Sequence, residues 1–126
     1  MTILEALLLV DESKPNQVEK RQKIAWLSEV DGRIFCDIIE THEKGADAPG
    51  VCPRYDAETP EETNLLCPDP YSVLYRWYLE AQIDVINQEL DKYQNSMAQF
   101  NAAYGDYARK YHREHMPKQL VTRLKY

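Results

Sequence analysis

The chain has 126 residues, of which 44% are apolar and 29% are charged, and its formal net charge at neutral pH is -6. This length predicts a single domain, 1-126, and this composition excludes a disordered acidic chain and a fibrous repeat. The negative charge argues against a general nucleic-acid-binding protein, because such binding depends on neutralising phosphates with Lys and Arg. No apolar run reaches the roughly 18 to 20 residues that cross a bilayer, so we expect no membrane partner.

The N-terminal part of the chain, residues 1-42, predicts two helices. Thr2 and Glu5 have the spacing of a capping box, and the first helix is expected from Ile3 to about Val10. Asn16 and Glu19 repeat that spacing before a second helix that ends near His42. Its apolar residues recur every three or four positions: Ile24, Leu27, Val30, Ile34 and Ile38. Gly32 in the middle of this helix predicts a bend or a break.

Residues 43-69 form a long acidic loop in this prediction, because prolines and glycines interrupt every helical period. A small β-hairpin between Arg54-Tyr55 and residues 63–66 is the one regular element that we expect there. A loop of this length is unusual unless it contacts something.

Residues 70-115 carry an aromatic heptad pattern that predicts a long C-terminal helix. Asp69 and Pro70 match an N-cap followed by Pro at the first helical position. Oppositely charged residues lie at helical-neighbour spacing in the pairs Arg76–Glu80, Glu89–Lys92 and Asp106–Lys110. The apolar seam has spacings of three and four throughout: Leu79, Ile83, Ile86, Leu90, Tyr93, Met97, Phe100, Tyr104, Tyr107 and Tyr111.

The predicted fold class is therefore all-α, a helical bundle with a long C-terminal helix and a Pro-rich acidic loop. An unbroken helix over 70-115 would be about 70 Å long, whereas a compact domain of this size has a radius of gyration of about 14 Å. Either the helix is kinked and turns back near Asn95 or at Gly105, or it projects and packs against neighbouring subunits. The second alternative makes the lower seam an oligomer or partner interface through Tyr93, Met97, Phe100, Tyr104, Tyr107 and Tyr111.

Aromatic residues are abundant, with nine tyrosines and two tryptophans. Tyr71, Tyr75, Trp77 and Tyr78 crowd the start of the predicted long helix. Such side chains favour protein interfaces, but they also fill cores, and the sequence leaves both alternatives open.

The charge is segregated along the chain. Residues 109–126 contain one acidic residue and six basic ones, which leaves a net charge of -11 for the rest of the protein. We expect the basic tail, 116-126 with the residues just before it, to dock on the acidic body of a neighbouring subunit. The alternatives are that it faces DNA that passes without sequence readout, or that it is only a solvated end. The basic residues concerned are Arg109, Lys110, Arg113, Lys118, Arg123 and Lys125.

No constellation in the sequence predicts catalysis, so we expect no enzyme, no cofactor and no metal. Cys52 and Cys67 could join His112 and His115 in a zinc site, but they lack the knuckle spacing of such sites, and free thiols are the expectation. Cys36 lies on the second predicted helix, where a buried and inert thiol is the usual outcome. The four glycines are scattered and form no phosphate-binding loop.

Several stretches together resemble a family of proteins from tailed phages and prophages of Gram-positive bacteria. The similar stretches are 14–16 (KPN), 23–34 (KIAWLSEVDGRI), 41–43 (THE), 65–71 (LLCPDPY), 79–84 (LEAQID), 92–96 (KYQNS) with 100–101 (FN), and 115–117 (HMP). Cys52 and Cys67 depart from the family pattern, and the tail beyond Pro117 is variable in it.

The resemblance implies a head-to-tail connector, or adaptor, that forms a homo-oligomeric ring on the portal protein and contacts tail or stopper proteins. It also implies a place in the neck of the virion after assembly in the host cytoplasm. The alternative is a non-structural phage accessory or regulatory protein, a helical dimer in the host cytoplasm.

Overall fold

A computed structural model describes residues 1–43 and 49–116. The described residues contain four α-helices and no strand, which confirms the all-α prediction. The helices are α1 (Ile3–Ser13), α2 (Lys20–Ile34), α3 (Val73–Ile86) and α4 (Leu90–Glu114), and α2 continues directly into a π-helical segment, Phe35–Ile39.

Helix α1 begins at the predicted capping box. The Thr2 hydroxyl accepts a hydrogen bond from the Glu5 amide, and the Glu5 carboxylate accepts one from the Thr2 amide. These two bonds satisfy amides that the first turn of a helix leaves without a partner, and they lower the pKa of Glu5.

Helix α2 differs from its prediction at its start and at Gly32. It begins at Lys20, and the Asn16 side chain accepts a bond from the Val18 amide instead of capping the helix, so the predicted capping box is wrong. The α-helix runs through Gly32 without a break. The helical hydrogen bonding changes instead at Phe35, where the π-helical segment begins. A Cβ at position 32 would lie 3.8 Å from the Cys52 sulfur, so the acidic loop packs closely on this helix.

The predicted hairpin of the acidic loop is wrong. Residues 61–65 pair instead with the N-terminus: the Ile3 amide donates to the Thr63 carbonyl at 3.1 Å, and the Leu65 amide donates to the Met1 carbonyl at 2.8 Å. Thr2 and Asn64 form an isolated antiparallel bridge. The loop therefore satisfies its backbone hydrogen-bonding groups by pairing with the start of α1. The two segments are far apart in the sequence, so a local pattern cannot predict this pairing.

The long helix of the prediction is two helices, α3 and α4, that pack against each other as an antiparallel pair. The chain reverses at residues 87–89, where Gln88 has a φ of 59°. The predicted kinks near Asn95 and at Gly105 are wrong, because both residues lie inside α4. The predicted start at Asp69–Pro70 is also wrong: residues 68–72 form a turn, and α3 begins at Val73.

One hydrophobic cluster joins all four helices and the described part of the loop. Because α4 has 25 residues and α3 has 14, α4 extends past α3 and reaches the π-helical segment. The largest completely buried apolar side chains come from every helix: Ile3, Val10, Ile24, Leu27, Val30, Ile34, Leu74, Tyr75, Leu79, Ile83 and Phe100.

Candidate partner-binding surfaces

The lower seam, which the sequence predicted as a partner interface, lies largely inside the protein. Phe100, Tyr107 and Tyr111 are buried, and their rings contact those of Tyr78, Tyr71 and His42. Tyr93, Met97 and Tyr104 are half-buried. The interface along the seam stays a prediction, and in this conformation only the half-buried members have surface left for a partner.

The aromatic residues at the start of α3 serve mainly the core. Tyr75 is completely buried, and Tyr71, Trp77 and Tyr78 pack against the hydrophobic cluster from its edge. The Tyr78 hydroxyl donates to Glu29 at 3.0 Å. Burial, followed by that hydrogen bond, raises the pKa of Tyr78 to about 12.

Two apolar patches remain exposed on the described surface. The first, which we call the turn patch, flanks the α3–α4 turn and consists of Val85, Ile86 and Leu90, which are 46%, 55% and 66% exposed. The second is formed by Leu4 and Leu8, one helical turn apart on α1, and borders a groove that Asp11, Lys20 and Glu61 also line. Contiguous exposed apolar residues of this kind mark protein-binding surfaces more often than scattered ones do.

Buried charged residues fix the helices beneath the turn patch. Asp84 is completely buried on α3, where it pairs with Lys14 and accepts a hydrogen bond from Ser96 on α4 at 3.2 Å. One turn earlier, Glu80 pairs with Arg76 at 2.6 Å. The contacts of Asp84 connect the end of α1 with both helices of the pair next to the turn patch.

The basic residues at the end of α4 are only in part free to bind an acidic partner. Arg109 pairs with Asp106, and Lys110 pairs with Glu114 at 3.0 Å, so the predicted Asp106–Lys110 pair is wrong. Pairing within the helix reduces the positive charge that these two residues offer. Arg113 is exposed. Lys118, Arg123 and Lys125 lie outside the described residues.

The four side chains considered for zinc do not converge. Cys67 is completely buried, and its amide donates to the Tyr75 hydroxyl at 2.8 Å, whereas Cys52 lies beside Gly32 on α2. In the part of the chain that the structure describes, no group of three or more His, Cys, Asp or Glu side chains could hold a metal ion. Cys36 is exposed, so the prediction of a buried thiol there is wrong: the π-helical segment turns its side chain away from the core.

The three histidines of the chain lie together around Tyr111, an arrangement that the sequence did not reveal. The His115 ring stacks on Tyr111 with a centroid distance of 3.8 Å, and the His42 ring meets Tyr111 edge-on at 5.4 Å. His42 and His112 are joined through a ring nitrogen of each. His42 is 70 residues from His112, so no local spacing could have predicted this contact.

Comparison of the chain with protein-family models, with curated proteins and with solved structures gave no match. Among the described residues, no helix combines the length and the hydropathy that crossing a membrane requires.

Proposed function

We propose that this protein is a structural component of a tailed-phage virion, a connector protomer that assembles as a ring on the portal. The turn patch is the observation that best supports a protein-binding role. It leaves about half or more of the surface of three large apolar side chains in contact with water at the end of the α3–α4 pair. The resemblance of the sequence to phage connectors supports the choice of the portal protein and of further copies of this chain as the partners.

The turn patch is also continuous with the half-buried part of the seam. Tyr93 follows Leu90 by three residues and Met97 follows Tyr93 by four, so these side chains lie along one face of α4. A partner that covered the turn patch would extend along α4 over Tyr93 and Met97, which are two of the six residues of the predicted seam interface. Phe100, Tyr107 and Tyr111 would keep their place in the core of the protomer.

Quantitative mass spectrometry of purified virions tests the proposal directly. A connector ring should be present in intact particles at a copy number close to that of the portal protein. Absence from the particle would contradict the proposal, and it would favour the accessory protein of the host cytoplasm.

Variants of the turn patch test the surface. We expect Leu90→Glu to weaken co-sedimentation with the portal protein at least about tenfold, because a charge would be buried at the centre of the contact. Gln99→Glu is the matched control, since it adds the same charge to an exposed position of α4 on the side of the helix opposite Leu90. Both variants should keep the circular dichroism spectrum of the wild type. Equal binding by the wild type and Leu90→Glu would exclude the turn patch as the contact.

A further inference from the structure

His42 and His112 come from distant parts of the chain and present ring nitrogens to each other. His42 follows the π-helical segment, and His112 lies in the last turn of α4. Nε2 of His42 is 3.1 Å from Nδ1 of His112, and the ring centroids are 5.3 Å apart at an interplanar angle of 79°. His42 is buried, and His112 is exposed.

The backbone fixes the tautomer of His42. Its Nδ1 lies 2.7 Å from the Ile38 carbonyl oxygen, and a carbonyl can only accept a hydrogen bond. Nδ1 of His42 therefore carries hydrogen, and in the neutral ring Nε2 keeps a lone pair directed at His112. Histidines that bind metals are oriented in this way, with the second ring nitrogen donating to a carbonyl or a carboxylate.

The distance between the two nitrogens fits one shared metal ion. Two Zn–N bonds of about 2.0 to 2.1 Å at a tetrahedral angle place their nitrogens about 3.3 Å apart, which is close to the observed 3.1 Å. Both rings have to turn so that their lone pairs meet at the ion, and the exposed His112 ring also has to move its proton from Nδ1 to Nε2, which water can accomplish. Exposure of His112 also leaves the remaining coordination positions open to water.

We propose that His42 and His112 form a binding site for a divalent transition-metal ion such as Zn²⁺, with water as the other ligands. The ion would replace the hydrogen bond between the rings and join the end of the π-helical segment to the end of α4. Those two ends are already connected by the bond from the Glu43 amide to the Met116 carbonyl at 2.7 Å. The site is independent of the connector role proposed above.

The test is a titration of the full-length chain with Zn²⁺ against a chromophoric competitor, in a Cys36→Ser/Cys52→Ser background. That background is needed because thiols that solvent can reach are themselves zinc ligands. We expect one ion per chain, and a melting temperature that rises with the concentration of Zn²⁺ and returns to its starting value on chelation.

His112→Ala removes an exposed ligand and should weaken binding at least about tenfold. His42→Gln should do the same, and a comparison of melting temperatures without metal separates any loss of folding from the loss of the ligand. His115→Ala is the matched control: its Nδ1 lies 3.0 Å from the Tyr111 carbonyl, and the variant should bind Zn²⁺ like the wild type.

Copper supplies a second readout, because electron paramagnetic resonance of bound Cu²⁺ should show hyperfine coupling to two imidazole nitrogens. Retention of full zinc affinity in both His112→Ala and His42→Gln would overturn the site. A ratio of one ion per two chains would overturn it as well, since the ligands would then come from two copies.

Discussion

Asp31 is the buried carboxylate on which three parts of the chain converge. It is completely buried on α2, and it accepts hydrogen bonds from the Tyr55 hydroxyl at 2.5 Å, the Tyr75 hydroxyl at 2.5 Å and the Leu66 amide at 3.0 Å. Burial raises the pKa of Asp31, while the three hydrogen bonds act in the opposite direction and only reduce the shift. The carboxylate thereby fixes the acidic loop and α3 against α2.

Replacing Asp31 should destabilise the protein according to how many donors lose their acceptor. Asp31→Leu leaves three buried donors unsatisfied and should cost at least about 3 kcal/mol, whereas Asp31→Asn keeps one oxygen as an acceptor and should cost about 1 to 2 kcal/mol. Urea unfolding followed by circular dichroism measures both. An equal loss of stability in the two variants would show that the hydrogen bonds of Asp31 do not stabilise the protein.

The pH dependence of the same comparison tests the direction of the pKa shift. A raised pKa means that the folded state holds a proton that the unfolded state has released, so this carboxyl contributes less to stability as the pH rises above 3.8. The stability of the wild type relative to Asp31→Asn should therefore decrease from about pH 4 towards neutrality. An increase over that range would mean that the hydrogen bonds outweigh burial.

The three cysteines should differ in reactivity in the order of their exposure. Cys36 is exposed, Cys52 is intermediate, and Cys67 is buried, with a pKa raised to about 12 mainly by that burial. A thiol reagent at pH 8 should modify Cys36 first and Cys67 only after unfolding, because the thiolate is the reactive form. Cys36→Ser should remove the fast phase and leave the others unchanged. Fast labelling of Cys67 in the folded protein would show that its thiol is not buried.

The reversal between α3 and α4 is the element that makes the protein compact. The Asn87 amide donates to the Ile83 carbonyl and the Glu89 amide donates to the Asp84 carbonyl, so the carbonyls at the end of α3 are satisfied as the chain turns. Gln88 adopts the left-handed conformation that glycine favours. Its neighbours Ile86 and Leu90 remain in water because the turn directs them away from the cluster.

Replacement by glycine should have opposite effects on stability at Gln88 and at Gln94. Gln88→Gly relieves the left-handed strain and should stabilise the protein by about 0.5 kcal/mol, whereas Gln94→Gly inside α4 should destabilise it by about 1 kcal/mol. Both side chains are exposed, so lost packing does not enter the comparison. Thermal unfolding of the two variants measures the difference. Destabilisation by Gln88→Gly would contradict the conformation of the turn.

At the scale of the whole molecule, buried hydroxyl and thiol groups link the elements. Tyr75 of α3, Tyr107 of α4 and Cys67 and Tyr55 of the loop all have a pKa raised chiefly by burial, and the charge of Asp31 raises each of them further. Each of these groups stays protonated in the folded protein at a pH at which the unfolded chain has released the proton.

The protein should therefore lose stability in alkaline solution. Stability should fall as the pH rises through the ordinary values of 9.0 for cysteine and 10.0 for tyrosine, since the unfolded chain alone gains free energy by ionising there. Urea midpoints at pH 8 and pH 10.5 measure the effect, and Tyr107→Phe should reduce the difference between them. A stability that is constant over this range would show that these groups ionise in the folded protein.

The sequence by itself determined the helical class, the capping box at Thr2 and Glu5, and the face of α4 that is apolar. These follow from the period of the side chains and from bonds between residues three or four apart, which are local properties of the chain. The sequence also indicated correctly that an unbroken helix over 70–115 would be too long for a compact domain.

Only the tertiary structure decided where that helix reverses and what covers its seam. The apolar period continues across residues 87–89 because Ile86 and Leu90, which the turn leaves exposed, keep its spacing, so the period cannot show a break there. The pairing of the loop with residues 1–4, the three donors to Asp31 and the contact of His42 with His112 join residues that are distant in the chain. Such contacts depend on how the helices pack, and packing is set by the fit of the whole cluster, which no local pattern contains.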